Sequence, residues 1–350
     1  MPVLNEALEA AILRDPDDLE AYAVYGDWLA EQGDPRGELI ATQIAADQTA
    51  DPEMQRAALR VFSKHRDYFI GRLGSMIAAD SFTWRAGFIH RVVLSPDRLL
   101  IEDGARVASS LGEVVAALLA HPSARFLMEL VVRTNNHDLW NNTVGSQKDI
   151  VGAIAAARPL VLRRLQLGDA AFGWANIGSL DHAWPALAPL HELVLQGQFT
   201  LGAVVLPELR TIDVWPNPFR KKLARELLEA PWPKLRTLSL HLGNCHDHVV
   251  RELVALLNRT DLPALVDLRL PAFRHAQTLI EQLSRSPLLA RLQTLDLSHG
   301  SISDHGVRPI LANADAFAHL SRLDLSDTAV TAKTFARLRH VLPNVVGKSP

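Results

Sequence analysis

The chain holds 350 residues, 48% hydrophobic and 21% charged, which is the balance of a soluble folded protein with room for two domains or one repeat array with an appendage. A formal net charge of -3, with no long run of Lys or Arg, argues against a nucleic-acid binder built to neutralise phosphates. The single cysteine, Cys245, excludes an internal disulfide framework and a cysteine-rich zinc site, and fits a reducing compartment. The first residues are acidic and lack the basic and apolar regions of a secretory signal. The most apolar stretches, Val114 to Ala120 and Ile150 to Leu162, are too short for a bilayer, and Arg158 and Pro159 interrupt the second. The expectation is a cytoplasmic protein without a membrane partner.

Residues 1 to 75 read as a small α-helical domain. Leu4, Leu8, Ala11 and Ile12 share one helical face. Asp15 precedes Pro16, a favourable first helical residue, and Asp17, Asp18 and Glu20 supply negative charge near that helix start. Leu19, Tyr22, Ala23, Gly26, Leu29 and Ala30 continue a buried stripe, and Gly33 suits a left-handed helix end. Asp34-Pro35-Arg36-Gly37 reads as a turn, with further helices over 38–46 and 52–73.

The run from Glu9 to Asp18, together with Tyr25-Gly26-Asp27-Trp28-Leu29-Ala30-Glu31-Gln32-Gly33-Asp34-Pro35-Arg36-Gly37-Glu38, resembles a bacterial repeat-companion domain. The likeness covers roughly the first 45 residues, and Trp84 to Ile89 resembles the start of the first strand in such proteins. The resemblance implies that leucine-rich repeats follow, and it implies no chemistry. Asp27, Asp34, Arg36 and Glu38 accordingly read as turn and capping residues rather than a catalytic or metal set.

Residues 76 to 350 repeat the template Leu-x-x-Leu-x-Leu, in which alternate apolar residues point inward from a short strand. Clear copies begin at Leu162, Leu190, Leu235, Leu265, Leu292 and Leu320, weaker ones span Leu127 to Val132 and Leu209 to Val214, and a first strand is expected over Ile89 to Leu94. The middle leucines Leu238, Leu268, Leu295 and Leu323 are 30, 27 and 28 residues apart, long enough for a helix to close each repeat. Val249, Leu253, Leu256 and Leu257, then Leu279, Ile280 and Leu283, have the spacing of such helices. The segments after Leu297 and Leu325 resemble ribonuclease-inhibitor-type repeats. The position that usually holds Asn or Cys is Ala170, Phe273, Gly300 or Thr328 here, so the asparagine ladder is incomplete and the first half of the array should be irregular. The expected fold is an α/β solenoid: a leucine-rich-repeat horseshoe with a curved parallel sheet, behind the helical domain. The helical domain should cover the first sheet edge, and the helix from Thr331 to His340 should close the other end.

The residues between the leucines should form an exposed concave face. That face would carry Glu129, Val131, Arg133, Arg164, Gln166, Glu192, Gln196, Asp213, Trp215, Ser239, His241, Asp267, Arg269, Asp296, Arg322 and Asp324. Arg133, Arg164, Gln166, Gln196, Asp213, Trp215, His241 and Arg269 are the candidates for binding a protein partner, because Trp and Arg are favoured anchors. Pro216, Pro218 and Phe219 offer Trp215 an alternative place in a loop cluster. His241, Cys245, His246, Asp247 and His248 are the densest potential metal ligands, but their spacing fits no closed zinc pattern. Phosphate-cradling glycine motifs and a nucleophile elbow are absent, so no catalytic residue, cofactor or metal is expected. The reading is a non-enzymatic protein-protein interaction module. The alternative is a regulator acting in trans on an enzyme such as a GTPase, through the polar loop from Asn135 to Asn142.

Overall fold

The computed structural model of the chain describes residues 4–102, 105–106, 110–133, 147–169, 175–243 and 247–347. Two compact units divide it: Met1–Leu167 with Pro185–Leu190, and Gly168–Trp184 with His191–Pro350.

The first unit opens with six helices, α1 (Glu6–Arg14), α2 (Leu19–Glu31), α3 (Pro35–Thr49), α4 (Pro52–Lys64), α5 (Arg66–Ile70) and α6 (Leu73–Met76). A side-chain oxygen caps each of the first four by accepting a backbone N–H, the amide oxygen of Asn5 and the carboxylates of Asp18, Asp34 and Asp51. Two expectations change here. α2 starts at Leu19 under Asp18, not at Pro16, because Asp15 spends its oxygen on the Asp17 amide and closes a separate turn around the proline. Asp34 to Gly37 is the N-cap and first turn of α3, with Pro35 at the position where a missing N–H costs nothing. Gly33, at φ 73°, ends α2 as expected. At Gly37 a Cβ would stand 2.5 Å from the Gly26 carbonyl oxygen and the Ala30 nitrogen, so only glycine lets α3 lie this close to α2.

The same unit then forms β1 (Phe82–Arg85), β2 (Phe88–Leu94), the short pair β3 (Ile101–Glu102) and β4 (Ala105–Arg106), α7 (Leu111–Leu119), β5 (Glu129–Val132), α8 (Gln147–Ala157) and β6 (Arg164–Gly168). β2, β5 and β6 are parallel, with Val92, Leu130 and Leu165 in register and fully buried. β1 folds back antiparallel on β2 through Ala86 and Gly87, both at positive φ. The free edge of β2 is therefore taken by this hairpin strand and not by the helices.

Arg36 ties the helices to this sheet. The residue is 4% exposed; its guanidinium donates to the Gly87 carbonyl at 2.5 Å and to Ser123 Oγ at 3.0 Å, and lies 4.6 Å from the ring centroid of Phe88, with Tyr68 and Phe69 at 5.5 Å. Asp34 accepts both the Arg36 amide, at 2.8 Å, and the Tyr68 hydroxyl, at 2.5 Å. Around this point Tyr22, Tyr25, Phe88 and Phe126 form a ring-against-ring core.

The second unit holds β7 (Asn176–Ser179), β8 (Glu192–Thr200), β9 (Thr211–Pro216), α9 (Lys221–Leu228), β10 (Thr237–Leu240), α10 (Asp247–Leu257), β11 (Asp267–Arg269), α11 (Ala276–Leu283), β12 (Thr294–Asp296), α12 (Arg308–Ala312), α13 (Ala314–Phe317), β13 (Arg322–Asp324), α14 (Ala332–Val341) and β14 (Val345–Val346). From β7 to β14 each described pair of neighbouring strands is parallel. One buried residue per strand stands in register through the stack: Leu193, Ile212, Leu238, Leu268, Leu295, Leu323 and Val345. Truncating any of the central leucines to Ala costs about 2–5 kcal/mol. Between β8 and β9 no helix forms among the described residues, and Leu201, Val204, Leu206 and Leu209 fill the space instead, the irregularity expected of the early repeats.

A set of longer side chains bridges successive repeats on the helix–strand side. Arg259 donates to the carbonyls of Leu228 (2.5 Å) and Ala230 (3.0 Å), and Arg291 donates to those of Thr260 and Leu262. His319 Nε2 meets the Leu289 carbonyl, and Asn344 Nδ2 donates to that of Leu320, both at 2.8 Å. Each side chain reaches back to the preceding repeat and satisfies carbonyls between helix and strand. At the expected ladder position Phe273 is fully buried, while Thr328 Oγ1 donates to the Leu325 carbonyl within its own repeat. Just after β11, β12 and β13 the chain turns through a left-handed residue, Ala272 (φ 56°), His299 (57°) and Asp327 (53°).

Three outcomes follow from this packing. Arg36→Met keeps the stem but loses both hydrogen bonds and leaves the Gly87 carbonyl unpaired, so urea unfolding should show a loss of about 3 kcal/mol. Ala272→Gly relieves a left-handed L-residue and should stabilise by about 1 kcal/mol in the same assay. Burial lowers the pKa of His90, helped by Arg85, and that of His121, helped by Arg36. Because the unfolded chain then binds protons more readily, these histidines should cost stability as pH falls through 6.5. The pH slope of urea unfolding should flatten in a His90→Gln, His121→Gln double variant.

Candidate functional site

Template alternation sends every second strand residue to the sheet face opposite the buried leucines. The candidate residues fall in both units. In the first, Arg164 and Gln166 stand on β6 in register with Glu129 and Val131 of β5, and Arg133 is exposed just beyond β5. Glu129 pairs with Arg91 at 3.1 Å. Val131, expected on the open surface, is 1% exposed, enclosed between its register partners Val93 and Gln166.

In the second unit β9 and β10 bring three candidates together. The Trp215 indole stacks on the His241 imidazole with centroids 3.5 Å apart and planes 14° from parallel. His241 Nε2 lies 3.2 Å from Asp213 Oδ1 and 3.2 Å from Ser239 Oγ. The His241 amide donates to the Val214 carbonyl at 2.9 Å, which fixes the imidazole beside the indole. Trp215 remains 37% exposed, and it is Phe219 that is buried in the following loop. Arg269 is exposed on β11, in register with Ser239 and Asp296.

Other residues expected on the open face are covered. Gln196 is 9% exposed, in register with the large Trp215 ring, so it supports that ring more than it offers a contact of its own. Ser239 is 4% exposed and engaged with His241. Asp324 is 6% exposed because it accepts from the Ser326 amide and hydroxyl and from Arg322. A further polar row, unremarked in the sequence except for Asp267, crosses three strands: Asp267 accepts from Thr237 Oγ1 at 3.1 Å and from Thr294 Oγ1. Its only sequence signal is the recurrence of small or acidic polar residues at one template position.

The cluster of Asp213, Ser239 and His241 lacks the geometry of a proton relay, since the carboxylate and the hydroxyl both meet the same nitrogen, Nε2. Cys245 and His246 lie outside the described residues, as does the loop from Asn135 to Asn142. Among the described residues no group of three or more His, Cys, Asp or Glu is placed to hold a metal ion. No helix among them is long and apolar enough to cross a membrane.

No protein-family model and no curated protein matches the sequence. Among solved structures, a Bacteroides fragilis protein aligns over 67% of this chain and 69% of its own, with 18% identity and a TM-score of 0.59. The repeated strand with one leucine in register per turn decides the class. The fold is a leucine-rich-repeat α/β solenoid. Internalin C2 of Listeria monocytogenes (15% identity, 58% of this chain and 91% of its own, TM-score 0.31) is a more distant likeness. So is a leucine-rich-repeat protein of Leptospira interrogans (15% identity, 75% and 72%, TM-score 0.28).

Proposed function

We propose that this leucine-rich-repeat chain is a non-enzymatic interaction module that binds a protein partner through the polar strand face of its second unit. The carrying observation is the exposed Trp215 ring, held in place by a parallel imidazole at 3.5 Å, with Asp213 two residues earlier on β9 and Arg269 two strands away on β11. An aromatic ring that is fixed before binding loses little conformational freedom when a partner covers it, which is how Trp and Arg come to dominate interfaces. Asp213 and Arg269 supply both signs of charge for orienting the partner. The first 75 residues are proposed as a repeat-companion domain fused to the array, and the cytoplasm as the site of action.

The test is a pull-down from native lysate, with wild-type chain compared against a Trp215→Ala, Arg269→Ala double variant of unchanged circular dichroism. Loss of a central anchor costs at least about 2 kcal/mol, so retention of the partner should fall about 30-fold. Equal retention by both proteins would remove this face from consideration as the binding surface.

A further inference from the structure

The repeat architecture leaves unexplained why Glu9, Tyr25, Asp34 and Arg36, all within the resembling N-terminal runs, converge on one place. All four line a cavity of about 330 Å³ inside the first unit, a volume at the small end of ligand pockets. Glu9 is 1% exposed, and its carboxylate accepts the Tyr25 hydroxyl at 2.8 Å and pairs with an Nη of Arg125. That pair spends one nitrogen of Arg125. The Arg125 Nε–H is buried with no hydrogen-bond partner among the described residues, and a buried donor left unpaired is costly.

His121 also lines this space, with its Nε2 near Gly71. His121 Nδ1 accepts from the Ser123 amide at 3.2 Å, so its ring proton sits on Nε2. Burial and the nearby Arg36 keep that imidazole neutral at neutral pH. Arg36 itself is already engaged by Gly87, Ser123 and three aromatic rings. The charges lining the cavity are Arg36, Arg125 and Arg158 against Glu9 and Asp34, an excess of one positive charge. The rest of the wall is largely apolar, and the rim carries Leu4 and Leu160, which are 52% and 54% exposed.

We propose that this cavity binds a small monoanionic carboxylate with an apolar tail. The carboxylate accepts from Arg125 and His121, and the tail lies along Leu119 and the rim leucines. One excess positive charge suits a monoanion better than a phosphate dianion, and exposed leucines at the rim suit a hydrocarbon chain rather than a sugar.

Isothermal titration calorimetry of the full chain with octanoate at pH 7 tests this, with octan-1-ol and inorganic phosphate as comparisons. Arg125→Lys retains the charge beside Glu9 and removes the forked donor. Leu160→Glu puts a carboxylate at the rim, on an exposed residue whose change spares the core. The expected result is saturable one-to-one binding of octanoate, weakened at least tenfold in each variant, with octan-1-ol also at least tenfold weaker. Absence of saturable binding by the folded wild type overturns the proposal. Equal binding of the alcohol reduces the site to an apolar hole, and displacement of octanoate by phosphate makes it a general anion site; either rejects the assignment. Octanoate binding that Leu160→Glu leaves unchanged lies elsewhere, and this variant decides the matter if Arg125→Lys fails to fold.

Discussion

A single strand-helix repeat of this chain has a leucine face that it cannot cover and helix–strand carbonyl oxygens with spare acceptor capacity, and the next repeat serves both. The leucine in register on the adjacent strand removes the first from water, which is the dominant favourable term in folding. The side chains of Arg259, Arg291, His319 and Asn344 meet the second. In many leucine-rich repeats an asparagine inside the loop does comparable work; here longer donors reach backwards from the following repeat. At the ladder position itself Phe273 is buried and Thr328 bonds within its own repeat.

The helical segment is attached to its strands by a different kind of contact. Arg36 is a cation almost without water, tolerated because a carbonyl, a hydroxyl and three ring faces replace its hydration. Its neighbour Asp34 performs two tasks, capping α3 and anchoring Tyr68, so the start of the helix and the placement of the aromatic layer are set together. The short sequence from Asp34 to Gly37 is thereby both a local signal and a tertiary joint.

The strand positions were legible because the leucine period is a direct image of burial: a residue at each inward position must be apolar, whatever its neighbours. Helices α10 and α11 were legible for the same reason, from Val249, Leu253, Leu256 and Leu257 and from Leu279, Ile280 and Leu283. The turns were less so. Asp-Pro pairs suit a turn as well as a helix start, and what selects the helix at Asp34 is the close approach of α3 to α2 at Gly37, a tertiary fact. On the polar face, alternation gave direction but not exposure. Gln196, Ser239 and Asp324 point the way the template says and are covered by lateral neighbours whose size a single strand does not reveal. The pairing of Trp215 with His241 across 26 positions depends on strand register, and the backward-reaching donors leave no mark at the carbonyls they serve.

Those donors also give the stack a polarity. Each points from a later repeat to an earlier one, so the two ends of the array are not equivalent when chain is taken away. Loss of an early repeat strands flexible side chains, which turn outward and find water. Loss of a late repeat takes side-chain donors from main-chain oxygens of the repeat before it, which are held in a folded loop and left to water. The array is thus closed from behind, each repeat sealed by its successor, and Asn344 on the loop before β14 is the last described seal.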